Sequence, residues 1–203
     1  MQSSTQEILP IIGTAMGGGF YAGRIVQDGQ MFAIIVAPKF DGEVSDQVWI
    51  KDEIAVPGAL SYVDGPANTA AMAEAGSALA TWARGLRIGG NDDWYVPAQD
   101  ELEVIYRNLK PTTDRNYQWA RSGINLAAAT PTRPYTADLP AQTNAEAFQA
   151  GGAEAFEPAW YWTSTQHAAT SDYAWVQFFS DGFQGNLTTS YEGRARAVRR
   201  LPI

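Results

Sequence analysis

From Trp160 to the end of the chain, strand-forming runs alternate with turn residues, a pattern that paired strands accommodate. Trp160 to Thr165 and Tyr173 to Phe179 are rich in the aromatic and β-branched residues that pack on a pleated surface. Ser180-Asp181-Gly182-Phe183 then turns the chain into Gln184 to Thr189, because Asp-Gly tolerates the positive φ of a tight hairpin. A last strand is expected over Arg194 to Leu201. It would set Ala195, Ala197 and Leu201 on one face against Arg194, Arg196 and Arg200 on the other.

The opening of the chain carries a second hairpin. Phe20 to Val26 and Met31 to Ala37 flank Gln27-Asp28-Gly29-Gln30, with a tight bend at Gly17 to Gly19 before them and Pro38 after. Gln47 to Ile50 reads as a third short strand. Helical spacing governs the middle: Met72, Ala75, Gly76, Leu79, Trp82 and Ala83 fall on one stripe of a helix over Asn68 to Arg84. Asn68 or Thr69 would cap it and Gly85 would close it. A second helix is expected over Gln99 to Asn108, with Leu102, Ile105, Tyr106 and Leu109 inward and Pro111 ending it. Thr143-Asn144-Ala145-Glu146 is a capping-box sequence that would open a short third helix, stopped at Gly151-Gly152. Grouped strands and helices of this kind define the α+β class. Residues 1–16 give no clear element and read as an arm that docks on a partner or as a frayed terminus, and 17–203 as one domain that includes the hairpin segment 17–50.

Composition narrows the chemistry. The 203 residues contain no Cys, so disulfides, thiolate metal sites and Cys nucleophiles are excluded. A net charge of −8 repels phosphates, which argues against nucleic acid as a partner. The opening MQSSTQEILP has neither a basic nor an apolar segment, so no signal peptide is expected, and no apolar run is long enough for membrane insertion. Seven Trp, nine Tyr and eight Phe are many for this length; such rings suit binding surfaces and cores alike, and most of them read as core. Trp162, Trp175, Phe178 and Val198 read as core.

Reactive groups are sparse. His167 is the sole histidine, and no Gly-x-Ser-x-Gly or His-Glu-x-x-His pattern accompanies it. The glycines at 17–19 precede a strand rather than a helix, unlike a phosphate loop. Asp92 and Asp93, or Glu101 and Glu103, are carboxylate pairs of the kind a glycosidase uses, but turn and cap roles account for adjacent Asp residues before a strand. Asn91, Asp92 and Asp93 are a weak candidate for a cation. No catalytic residue, metal or cofactor is assigned. The residues that fit ligand binding combine adaptable polar groups with rigid aromatics. Gln166, His167, Thr170, Asp172 and Tyr173 form one such cluster; Gln184, Asn186, Thr188, Ser190 and Tyr191 form another, with Gln184, Asn186 and Thr188 on one strand face.

Several segments carry a family resemblance. They are Asp92-Asp93-Trp94-Tyr95-Val96-Pro97 before an Asp-Glu-Leu helix start, Tyr161-Trp162-Thr163-Ser164-Thr165-Gln166, Ala174-Trp175-Val176-Gln177-Phe178, the Asp181-Gly182 turn, and Arg196-Ala197-Val198-Arg199-Arg200. Together these resemble the Lcl-type C-terminal domain family, a phage and bacterial branch of the C-type-lectin-like fold related to formylglycine-generating enzymes and to retroelement-diversified variable proteins. The resemblance extends over residues 17–203. It implies a mixed or antiparallel sheet with two main helices and long loops, on a phage virion protein of the tail fibre or tail tip, made in the host cytoplasm. The implied role is non-enzymatic receptor binding or adhesion to a bacterial cell-surface glycan or protein. Other virion proteins would be reached through residues 1–16, and avidity would come from a homo-oligomer, a trimer favoured. A structural decoration or tail-assembly protein is the alternative, and a hydrolase of surface polysaccharide a third. Departures from the pattern are informative. Ala98 stands where relatives place a Ser or Thr cap. The Glu-Pro-Asn, Gln-Pro-Asp and Trp-Asn-Asp segments of calcium-dependent lectins are missing, as is the Cys pair of the formylglycine-generating enzymes.

Overall fold

The computed structural model describes residues 9–130 and 132–203, and residues 1–8 of the expected arm lie outside them. Among the described residues nine strands form two sheets, with helices packed against them. Strands β1 (Ala15–Met16), β2 (Gly19–Gln27) and β3 (Gln30–Val36) form an antiparallel ribbon. Gly17 and Gly18, at φ +57° and +86°, make the two-residue turn into β2. Asp28 and Gly29, at +51° and +81°, make the next turn, as Asp-Gly requires.

After β3 the short helix α1 (Lys39–Gly42) steps the chain into β4 (Glu43–Gln47). The expected strand at Gln47 to Ile50 is displaced: Trp49 and Ile50 lie past the strand end, buried, and both donate to the Thr189 carbonyl. The long helix expected over Asn68 to Arg84 is two helices, α2 (Gly65–Glu74) and α3 (Ala78–Gly85). Gly76, at φ +93°, ends the first, and the Ser77 hydroxyl caps the second by accepting from Ala80 N–H while donating to the Trp49 carbonyl. The apolar stripe continues across the break, so periodicity alone conceals it. Asp64 caps α2. The expected caps, Asn68 and Thr69, are instead buried links: the Asn68 amide pairs with the Ser61 backbone, and the Thr69 hydroxyl both donates to and accepts from Val96.

Helix α4 (Gln99–Leu109) buries Leu102, Ile105, Tyr106 and Leu109, as its spacing predicts. Its uncapped start at Ala98 is satisfied from two directions. Glu101 reaches back to accept from Ala98 N–H at 2.7 Å, and Thr165 accepts from Gln99 N–H at 3.0 Å. The third helix shrinks to a single 3-10 turn, Glu146–Phe148, in which the Thr143 hydroxyl accepts from Ala145 N–H.

The C-terminal strands are β5 (Trp160–Gln166), β6 (Tyr173–Phe178), β7 (Gln184–Thr188), β8 (Gly193–Arg196) and β9 (Val198–Pro202). The sheet orders are β1-β2-β3-β9 and β4-β8-β5-β6-β7, with β5 and β8 parallel and the other neighbours antiparallel. The single strand expected over Arg194 to Leu201 is therefore divided between two sheets at Ala197. Val36 pairs with Val198 and Glu43 with Arg196, so residues 37–42 oppose Ala197 alone and the ladder bends there. This bend overturns the simple two-faced reading of the basic run. Arg196 is fully buried: it donates to the Ala37 and Glu154 carbonyls and pairs with Glu154 and, at 3.5 Å, with Glu43. Arg199 grips Asp93 at 2.7 and 2.9 Å. Strand β9 pairs with β3, so the N-terminal hairpin shares a ladder with the end of the chain.

Candidate functional site

Strands β5 to β7 present two faces. Trp162, Val176 and Ala174 point into a core with Met72, Leu79 and Val96. The opposite face is set by register: Tyr173 pairs with Thr188, Trp175 with Asn186, and Gln177 with Gln184. At the Gln177 end this face is closed. Gln177 donates to the Gly182 carbonyl and accepts from Gln184, and both glutamines are buried. Toward Tyr173 it opens: Asn186 is exposed, and Tyr173, Trp175 and Thr188 are half-buried.

Loops complete the open end. The Tyr62 ring lies 6.0 Å from that of Trp175, the Arg121 guanidinium sits 4.6 Å over Tyr62, and the His167 ring is 5.6 Å from Trp175. The result is a row of Arg121, Tyr62, Trp175 and His167 beside Asn186, Thr188 and Tyr173. Arg121 is held by an ion pair with Asp100 of α4. Burial pushes the Asp100 carboxyl up to about 6, against the opposing pull of Arg121.

A buried polar run holds this floor in place. Thr163 donates to the Trp175 carbonyl and Thr165 to that of Ser61, and the Thr163 carbonyl accepts from the Trp49 indole. Gln166 accepts from Val56 N–H at 2.7 Å and donates to the carbonyls of Ile54 and Ser171. The 51–61 loop, which leads into Tyr62, is thus tied to β5 through side chains that are nearly inaccessible to water, and the Tyr62 carbonyl accepts from Asp100 N–H of α4.

The residues singled out in the sequence are distributed unequally. His167, Tyr173, Asn186 and Thr188 gather around Trp175. Thr170 and Asp172 lie on the adjoining turn, where the Thr170 carbonyl accepts from Tyr173 N–H and the Asp172 carbonyl from Thr189 N–H. Gln166 and Gln184 face inward, with the Gln166 amide spent on the backbone. Ser190 is exposed and donates to Glu53. Tyr191 stands apart, in a separate cleft with Asp46, Trp160 and Phe178. Trp175 and Phe178, read as core, are half-buried, whereas Trp162 and Val198 are fully buried. Tyr62 and Arg121 lie on distant loops and carry no local signal that would have found them.

The carboxylate pairs have structural partners. Glu101 accepts from the Tyr95 hydroxyl and Ala98 N–H, and burial pushes its carboxyl up to about 7. Glu103 bonds Arg107, Asn125 and Tyr135. Asp93 is engaged by Arg199, and the Asn91 side-chain nitrogen donates to the carbonyls of Gly17, Ile88 and Gly89. Among the described residues no group of three or more His, Asp or Glu is placed to hold a metal.

These elements define an α+β protein of two sheets and few helices, with a polar and aromatic face on the five-stranded sheet. The family model for the Lcl C-terminal domain matches residues 43–199, and the chain belongs to that family. The match starts after the N-terminal hairpin. No curated protein matches the chain.

Proposed function

We propose that this protein is a non-enzymatic recognition module with a C-type-lectin-like fold, carried on a phage particle and binding a bacterial surface receptor. The observation that carries the proposal is the row Arg121, Tyr62, Trp175 and His167 beside the open strand residues Tyr173, Asn186 and Thr188. Half-buried aromatics give contact area at low entropic cost, and adjacent amide and hydroxyl groups give direction. Anchoring through Thr163, Thr165 and Gln166 pre-organises the face, which reduces the ordering cost of binding. A single face of this size binds weakly, so display as a homo-oligomer, a trimer favoured, would raise avidity.

The test is saturable binding of labelled protein to intact bacteria, comparing the native chain with Asn186→Ala/Thr188→Ala. Both residues sit on the solvent side of β7, so the variant should keep its circular dichroism spectrum and lose at least tenfold in affinity. Equal binding by the two would refute the site. A second reading, a virion decoration or tail-assembly protein, draws on Trp119 and Leu126, large apolar side chains exposed on the 112–140 loop that a neighbouring subunit would cover. Absence of cell binding together with co-sedimentation with tail or capsid particles would favour it.

A further inference from the structure

On the other side of the β5–β6 pair from the Trp175 row lies a cleft of about 250 Å³, lined by Asp46, Trp160, Phe178, Tyr191, Glu192 and Arg194. Its floor is aromatic: the Trp160 and Phe178 rings are 4.7 Å apart, both half-buried, and Tyr191 projects at the rim with 44% of its surface exposed. Its polar groups are unlike those of an anion site. Arg194 is engaged by Glu43 at 3.0 Å, while Asp46 and Glu192 stand exposed at the rim. Asp46 is brought there by an irregularity in the β4–β8 pairing between Val44 and Gln47, at a positive φ of 55°.

We propose that this cleft is a second binding site, for one ring of an uncharged saccharide. Three features converge on that chemistry. An aromatic surface takes the C–H face of a pyranose ring, burying apolar area without demanding hydrogen bonds. Two carboxylates accept hydrogen bonds from sugar hydroxyls, and charge-assisted bonds of this type are the stronger kind. The same carboxylates repel sulfated, phosphorylated or uronic sugars. The volume lies below the roughly 300–1,000 Å³ of sites for larger ligands, so one ring is accommodated rather than a chain segment. The site is independent of the Trp175 face, since its lining shares no residue with it.

Saturation-transfer NMR with methyl glucoside, methyl galactoside, methyl mannoside and N-acetylglucosamine tests the proposal, with glucuronate as the anionic control. At least one neutral probe should receive saturation at its ring protons with millimolar affinity, and glucuronate should receive none. Tyr191→Ala and Asp46→Asn should each weaken that probe by fivefold or more, and Asn is at ease at the positive φ of position 46. Asn186→Ala should leave it unchanged. The proposal is overturned if none of the four neutral probes binds, if glucuronate binds as well as they do, or if Tyr191→Ala and Asp46→Asn bind like the native chain. Loss on Asn186→Ala alone would also overturn it, because it would place the sugar on the Trp175 face.

Discussion

Replacing Arg196 by Met should destabilise the protein severely. The guanidinium lies at the bend where β8 passes to β9, donates to the Ala37 carbonyl at 2.9 Å and the Glu154 carbonyl at 2.9 Å, and neutralises Glu43 and Glu154. Its side chain is fully buried and that of Glu43 is only 4% exposed. Met fills most of the volume but leaves buried acceptors without donors, strips Glu154 of its guanidinium, and leaves the buried Glu43 carboxylate with Arg194 as its remaining ion-pair partner. Breaking a buried pair from one side costs about 3–5 kcal/mol, a large share of the roughly 5–15 kcal/mol that holds a domain together. With a urea slope of about 2–3 kcal/mol/M, the unfolding midpoint at pH 7.5 should fall by roughly 1.5 M. Adding Glu43→Gln should recover part of the loss, since it removes a buried charge left under-compensated by Arg194 alone. Burial already pushes the Glu43 carboxyl up, with Arg196 the largest opposing influence, so the Met variant should also recover as pH falls and Glu43 takes up a proton. Tryptophan fluorescence in urea follows all three. A midpoint within 0.3 M of the native value, or a loss that Glu43→Gln leaves untouched, would refute the claim that this guanidinium secures the bend.

Glu101 predicts an unusual pH response. Its carboxyl is raised from 4.5 to about 7 by burial, against Tyr95, Ala98 N–H and Arg200, with Asp64 adding to the rise. Between those values the folded state holds a proton that the unfolded state lacks, so stability rises as pH falls from about 7 to about 4.5. At about 1.36 kcal/mol per pKa unit the gain approaches 3 kcal/mol, and Asp100 adds in the same direction below about 6. Urea midpoints measured from pH 4.5 to 8 should show this slope, and Glu101→Gln should flatten it; an unchanged slope in the variant sinks the assignment. Gln166→Leu should cost about 3 kcal/mol by orphaning Val56 N–H and the Ile54 and Ser171 carbonyls. Hydrogen exchange at the Val56 amide should accelerate at least tenfold in that variant, and native protection there would show that the loop is held by other contacts.

Local chemistry determined a good part of this protein. The Asp28-Gly29 turn, the strand runs at 20–37 and from Trp160 to Thr188, and the inward face of α4 follow from turn preferences and periodicity, and are found within a residue or two of where those place them. The Ala75-Gly76-Ser77 break was also present as a helix stop followed by a cap, although the continuous apolar stripe hid it. The family was legible in the Tyr161 to Gln166, Ala174 to Phe178 and Arg196 to Arg200 segments. Tertiary structure alone decided the rest. A two-residue period cannot show that Ala197 opposes the whole stretch 37–42, and so cannot show that β8 and β9 join different sheets. Nor can it show that Arg196 lies among buried carboxylates rather than in water, because its partners are more than 40 residues away in sequence. The candidate site has the same character. Asn186 and Thr188 share a face by strand alternation, but Tyr62 and Arg121 reach that face from remote loops, and Tyr191 is carried to the opposite side. Element type depends on neighbours along the chain, whereas burial and pairing depend on neighbours in space, and only folding brings those together.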